Sequence, residues 1–461
     1  MTMERNVCIQ RRFALFAFVA LFFAAFAGVF ATAQTSGAGT ITGAVTDANQ
    51  AVIPGAQVTV TNADTGVVHQ FTSNEAGIYT APFLLPGHYT ISATAPNFNK
   101  AETTGVTLLV GQILTVNISL KVNAANTTVE VSATNLILDT EKTEVSQVVD
   151  SQIVANMPVN TRNWSSFALL TPNVTQDGGT GLISFHGISG LYNQNYVDGA
   201  NNNQILFSEA RGRSNGMPYA YSVDSIKEFQ TETSNYSAEF GQAAGGQVNA
   251  ITKSGTNALH GDLFYYLRYP DLNALDPLTK YTALHGGLSP SVSSFLLTQP
   301  THQQNQFGGS VGGPIMRDRL FYFFTYDGFR KVGKALYSDT NYISTDAALP
   351  SGVGAANAVY PGNCPSTITS TQCLAGINFL INQTVAAPSR FAKEDLFFPR
   401  IDYHINSKND AFIDYNFANF QSTYGYSALA TFNNASPSSN GPTYYHERFL
   451  VGGWTSQIGN A

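Results

Sequence analysis

Strict alternation of apolar and polar side chains governs two separate parts of the chain. Within residues 40–122, "AQVTVT" at 56–61 sets Ala56, Val58 and Val60 against Gln57, Thr59 and Thr61. "HYTISAT" at 88–94 sets Tyr89, Ile91 and Ala93 against His88, Thr90 and Ser92, and "LTVNISLK" at 114–121 aligns Leu114, Val116, Ile118 and Leu120. Turn signals ("NADTG", "SNEAG", "LPGH") separate these runs. Period two between turns predicts half-buried antiparallel strands. About seven of them in so short a span predict a small β-sandwich.

From Leu259 the alternation returns, now heavy with aromatics. "DLFYYLRY" places Leu263, Tyr265, Leu267 and Tyr269 on one face. "RIDYHI" sets Ile401, Tyr403 and Ile405 against Arg400, Asp402 and His404, and "IDYNFA" sets Ile413, Tyr415 and Phe417 against Asp414, Asn416 and Ala418. Six strands are predicted, near 259–269, 304–314, 319–329, 397–405, 410–421 and 444–455. Short links ("IMRDR", "NSKND") join the second to the third and the fourth to the fifth, while the other connections are long, the longest spanning about 331–396. An aromatic face toward lipid, a polar face toward a wet lumen, and short turns alternating with long loops are the pattern of outer-membrane β-barrel strands.

Between these regions, 136–257 mixes signals. Helix is predicted around 151–156 and 163–170. The stretch 236–257, "YSAEFGQAAGGQVNAITKSGTN", has almost no large side chain. Glycine permits close backbone approach and φ > 0 turns, so this stretch predicts a last strand ("GGQVNAITK") and a turn ("SGTN") lying against a wall. Residues 123–135 read as a polar linker around an alternating extended piece.

Charge and compartment sharpen the picture. Arg5, Arg11 and Arg12 precede the apolar run 13–30, and "ATA" at 31–33 offers a cleavage site, so residues 1–33 predict a cleaved export signal. Losing three Arg and one Glu there takes the net charge from −7 to −9. No basic stripe exists to displace phosphate counterions, which argues against a nucleic-acid partner. Beyond the signal no apolar run approaches the ~20 residues of a spanning helix, so entry into a membrane requires closed strands. Cys364 and Cys373 are the two cysteines outside the signal. In an oxidising compartment they could close a small loop, or remain two free thiols.

Catalytic and metal signatures are missing from the sequence. "GGSVG" at 308–312 matches G-x-S-x-G, but Ser310 lies in a predicted strand rather than a strand–turn–helix elbow. The eight histidines show no HExxH spacing, and there is no Walker loop or Rossmann fingerprint. Asp402 and Asp414 read as solvated wall residues. The expectation is a non-enzyme with no catalytic residue, metal or cofactor.

Two resemblances carry the functional reading. "ITGAVTDANQAVIPGAQVTVTN", the Gly77–Ile78–Tyr79 step and the Leu85–Pro86–Gly87–His88–Tyr89 turn resemble the carboxypeptidase-regulatory-like domain, a transthyretin-like fold without catalytic residues, classed with carbohydrate-binding-like folds. Pro158 with Arg162, the Asp198–Gly199 turn after Tyr196–Val197, Ile226 to Phe229 and the small-sided stretch resemble the plug of TonB-dependent outer-membrane receptors of the Oar-like branch. His186–Gly187 stands where many plugs carry Arg–Gly.

The resemblance implies a mainly β chain: signal 1–33, sandwich 40–122, linker 123–135, α+β plug 136–257, and the N-terminal part of a barrel over 258–461. Plugged transporters close with about 22 strands, so six predict a piece of a longer receptor. The chain is expected in the outer membrane of a Gram-negative-type bacterium, against outer-membrane lipid. Its implied partners are a periplasmic TonB-type coupling protein and an extracellular polar ligand such as an oligosaccharide or peptide. Thr128, Val129, Glu130, Val131, Ser132 and Ala133 are either a TonB box, freed for capture by strand addition, or the first strand of the next domain. His186, Tyr192, Asn193, Asn195, Asn201 and Asn202 either face ligand at the plug apex or satisfy a plug packed in a wet lumen. An Oar-type adhesion or export role without uptake, and a secreted carbohydrate-binding module, are the alternative functions.

Overall fold

The computed structural model describes residues 37–122, 129–132, 145–157, 163–177, 182–204, 219–236, 241–272, 274–286, 290–298, 301–334, 336–338, 389–423, 431–433 and 441–457, with isolated positions between 369 and 379. The proposed signal 1–33, Thr128, Ala133, Pro158, Arg162, Cys364 and Cys373 lie outside them. Among the described residues no helix is long and apolar enough to cross a membrane.

The sandwich is built from β1 (Gly39–Asp47), β2 (Gln57–Asn62), β3 (Val68–Thr72), β4 (Ile78–Leu84), β5 (Gly87–Thr94), β6 (Ala101–Leu108), β7 (Ile113–Thr115) and β8 (Ile118–Leu120). One sheet runs β4-β1-β7 with β8 also on β1, and the other runs β3-β2-β5-β6. The alternating residues meet between the sheets: Ile41, Val45, Val58, Val60, Tyr79, Ile91, Leu114 and Leu120 are all buried. Two of the buried polar handles are satisfied, since Tyr79 donates its hydroxyl to the Val116 carbonyl (2.7 Å) and Tyr89 donates to that of Leu85 (2.6 Å). Burial holds both phenols above their ordinary range, because the charged form loses its water.

A ninth strand, β9 (Val129–Ser132), continues the second sheet beyond β6. It lies parallel to β6, with Ala101 opposite Val129 and Thr104 opposite Ser132. The backbone of 129–132 thus forms an edge strand of the sandwich's second sheet.

The middle region, read from the sequence as a plug and called the plug below, holds a five-stranded sheet of β10 (Val145–Val149), β13 (Gln194–Val197), β14 (Ala200–Asn201), β15 (Ile226–Ser234) and β16 (Gln247–Thr252), in the order β10-β15-β16-β13-β14. A hairpin of β11 (Val174–Asp177) and β12 (Leu182–Phe185), a helix at Ser151–Asn156 and a 3₁₀ turn at Trp164–Leu170 complete it. Asp150 caps the helix, accepting from the amides of Gln152 and Ile153.

The wall is a six-stranded antiparallel sheet: β17 (His260–Arg268), β18 (Thr301–Met316), β19 (Leu320–Lys334), β21 (Ser389–Asn406), β22 (Asn409–Ser422) and β24 (Thr443–Ser456), in that order. Two short strands, β20 (Leu336–Ser338) and β23 (Thr431–Asn433), pair apart from it. The alternation sets its faces: Ile401 and Ile413 are 43% and 49% exposed, while Arg400, Asp414 and Asn416 are buried. The inner face is not purely polar, however. Phe323 and Phe398 are buried in one cluster with plug residues Phe229, Tyr221 and Val197, so the wall completes the plug core. Asp414 is corrected for the same reason: it is 1% exposed, because the plug covers this face. Asp402 keeps a 15% exposed side chain and pairs with the buried Arg400 two residues before it.

Candidate functional site: the plug, its seat and its strand-added segment

Three polar anchors seat the plug on the wall. The tight Asp198–Gly199 turn joins β13 to β14 with φ of 48° and 81°, a left-handed pair that suits Asp followed by Gly. The turn aims the Asp198 carboxylate at β16, where it accepts from the Thr252 amide (3.0 Å) and hydroxyl (2.7 Å). Arg400 of β21 closes the group. It donates to Thr252 Oγ1 (2.7 Å), pairs with Asp198 at 3.0 Å, and places Nε and Nη2 on Asp402. Its guanidinium also lies 4.5 Å over the Phe412 ring. A buried arginine shared by two carboxylates, a hydroxyl and an aromatic face is fully compensated.

The second anchor centres on Asp327 of β19. It accepts from Tyr219 (2.8 Å) and Ser222 (2.7 Å) of the plug and from Gln306 of β18. Asn416 of β22 adds the third, donating to the plug carbonyl of Ala220 at 2.7 Å.

Backbone proximity comes from glycine. A Cβ at Gly255 would run into the carbonyl oxygens of Tyr322 and Gly313, so this position of "SGTN" tolerates no side chain. Glu228 of β15 is 5% exposed. Burial raises its carboxyl to about 7, against the opposing pull of Lys227.

The geometry divides the six proposed ligand-facing residues. His186 (φ 53°), Tyr192 and Asn201 are exposed. Asn193, Asn195 and Asn202 are buried at 5%, 8% and 2% exposure. Their bonds stay inside the plug: Asn193 donates to the Ile183 carbonyl, Asn195 Nδ2 donates to Asn203 Oδ1 (2.8 Å), and the Asn202 amide donates to the Asn195 carbonyl (2.7 Å). Asn203, which the sequence did not single out, ties the group together by donating to the Asn193 carbonyl at 2.7 Å. These three asparagines shape the loop, and the polar surface belongs to the other three.

The sandwich docks beside this seat. Asn257 donates its amide to the Asp64 carbonyl (3.0 Å) and its side chain to the Thr65 carbonyl (2.7 Å) and Asp318 (2.6 Å) of the β18–β19 turn. Lys227 reaches the Pro86 carbonyl at 2.5 Å. A second group of side chains meets at this junction, where His69, remote in sequence, joins His404 and Asp410 of the β21–β22 hairpin.

An outer membrane beta barrel domain model matches residues 251–461, and a carboxypeptidase regulatory-like domain model matches 40–121. The TonB-dependent transporter Oar of Myxococcus xanthus is 27% identical over 383 residues, which cover 77% of this chain and 33% of that protein. This chain thus spans about a third of that relative's length. Among solved structures, the siderophore receptor PirA from Acinetobacter baumannii aligns with TM-score 0.40 and 18% identity over 67% of this chain and 37% of that one. The outer membrane transporter YddB from Escherichia coli aligns with TM-score 0.43 and 13% identity over 68% and 37%. The two domain models account for the wall and the sandwich separately, the carboxypeptidase regulatory-like domain lying N-terminal to the outer membrane beta barrel domain. The chain is similar to the TonB-dependent transporter Oar over 77% of its length.

Proposed function

We propose that the chain acts in a TonB-coupled outer-membrane receptor that imports a polar, largely uncharged ligand, an oligosaccharide or peptide, rather than in an adhesion protein or a secreted binding module. The observation that carries this reading is the seating of the plug. Buried, geometrically specific anchors at Arg400 and Asp327 join it to the wall. A module whose working part was the sandwich alone would have no use for a plug locked in this way.

On this reading His186, Tyr192 and Asn201 offer hydrogen bonding and stacking to the ligand, while Val129–Ser132 is the segment a TonB-type protein takes by strand addition. The domain divisions read from the sequence, including the signal at 1–33 and the loop holding Cys364 and Cys373, form part of the proposal. No residue is assigned a catalytic role. The test is binding of the periplasmic domain of a TonB-type protein to the detergent-refolded chain, measured by calorimetry with and without Val129→Pro. Proline removes a ladder donor, so at least a tenfold loss is expected. Unchanged affinity would place the capture segment elsewhere or remove the coupling altogether.

A further inference from the structure

His69 lies on β3 of the sandwich, while His404 and Asp410 face each other across the β21–β22 ladder, where they are register partners. Docking of the sandwich on the β21–β22 turn brings one ligand-type atom from each residue within 4.8 Å of the other two. His404 Nδ1 is 2.6 Å from Asp410 Oδ1, and His69 Nε2 is 3.6 Å from Asp410 Oδ2. The two rings stand nearly perpendicular, at 84°, with centroids 5.5 Å apart. The side chains are 16%, 13% and 38% exposed, for His69, His404 and Asp410 respectively.

We propose that His69, His404 and Asp410 form a binding site for a divalent transition metal of the zinc class, which pins the sandwich to the β21–β22 turn. Two imidazoles and a carboxylate are a donor set this class prefers, with a fourth position left for water. Tetrahedral bonds of about 2.0–2.1 Å draw ligand atoms to just over 3 Å apart, within small side-chain adjustments of the observed spacings.

Two further observations support a site rather than a chance meeting. His69 Nδ1 lies 3.2 Å from the Ser407 carbonyl. That contact fixes the proton on Nδ1 and leaves the Nε2 lone pair turned to Asp410, the orienting arrangement that accompanies metal-bound histidine. The cluster also lines a cavity of about 410 Å³ with Tyr89, Phe412 and Thr455, which gives a hydrated ion a way in. The inference does not depend on the transport reading.

The test uses the full chain without a histidine tag, refolded in detergent, stripped with chelator and titrated with Co²⁺ as a spectroscopic probe, then with Zn²⁺ in competition. Wild type should bind one equivalent with the intense visible absorption of low-coordinate cobalt, displaced by Zn²⁺. His69→Gln, His404→Gln and Asp410→Asn should each weaken binding at least tenfold, and His186→Gln, on the exposed plug turn, should not. His69→Gln leaves the wall strands untouched, so it remains informative if the two wall variants fail to refold. Absence of stoichiometric binding, or binding with six-coordinate spectra that His69→Gln does not change, would overturn the site and leave a metal-free ionic latch.

Discussion

Replacing Glu228 by glutamine should stabilise the plug sheet at alkaline pH and leave it unchanged in acid. The carboxyl sits on β15 at 5% exposure, and burial carries it from its ordinary 4.5 to about 7. A folded-state value above the unfolded one means that the folded chain holds the proton more tightly. The associated stability is therefore complete below 4.5 and is lost as pH rises through about 7. At roughly 1.4 kcal/mol per tenfold change in proton affinity, the loss approaches about 3 kcal/mol by pH 8. Glutamine mimics the protonated acid and does not ionise, so it escapes that loss. Hydrogen exchange of peptides covering 226–234 and 247–252, corrected for intrinsic rates, reads the local opening free energy. The variant should exceed wild type by up to about 3 kcal/mol at pH 8 and match it at pH 4. An equal difference at both pH values would show that packing, not ionisation, sets the effect and would refute the reasoning.

Arg400→Ala strands the carboxylates of Asp198 and Asp402 in a buried seat. Losing one partner of a buried pair costs about 3–5 kcal/mol, which faster trypsin cleavage of the plug should register; Arg400→Lys should not restore it, because lysine cannot fork. Gly255→Ala forces a methyl group against the Tyr322 and Gly313 carbonyls. The overpacking should cost about 1–3 kcal/mol, seen as a lower urea midpoint for plug release, with no change counting against the close approach. The sandwich, expressed as 37–122, should give a folded β spectrum by circular dichroism and a cooperative melt, since its core is closed on itself; a disordered spectrum would contradict that.

What could be read from the chain was set by how locally each feature is encoded. Strand faces in the wall and sandwich follow from period two, so Ile401 outward and Arg400 inward were legible one residue at a time. The helix at 151–156 has its capping aspartate immediately before it. The meeting of His69 with His404 was not legible, because it depends on how one domain docks against another's turn. Asp414 shows the same limit: alternation places it on the inner face, but only the plug decides that the face is dry. Asn193 and Tyr192 adjoin in sequence and share a polar character, yet one faces inward and the other is 60% exposed. The parallel partner of β9 was hidden too, since a four-residue alternating segment fits the edge of almost any sheet.

If 129–132 is the segment a coupling protein takes, as proposed above, its parallel pairing with β6 turns recruitment into a contest between two hosts. A coupling protein that takes this segment as a strand must first prise it from Ala101–Thr104, so its apparent affinity falls by the fraction of time the segment is unpaired. Departure also uncovers the β6 edge, whose freed amides and carbonyls then invite any passing strand. On that proposal the sandwich would serve as a rival ligand carried on the same chain, and mutations on β6 that never touch the coupling protein would tune how readily it engages.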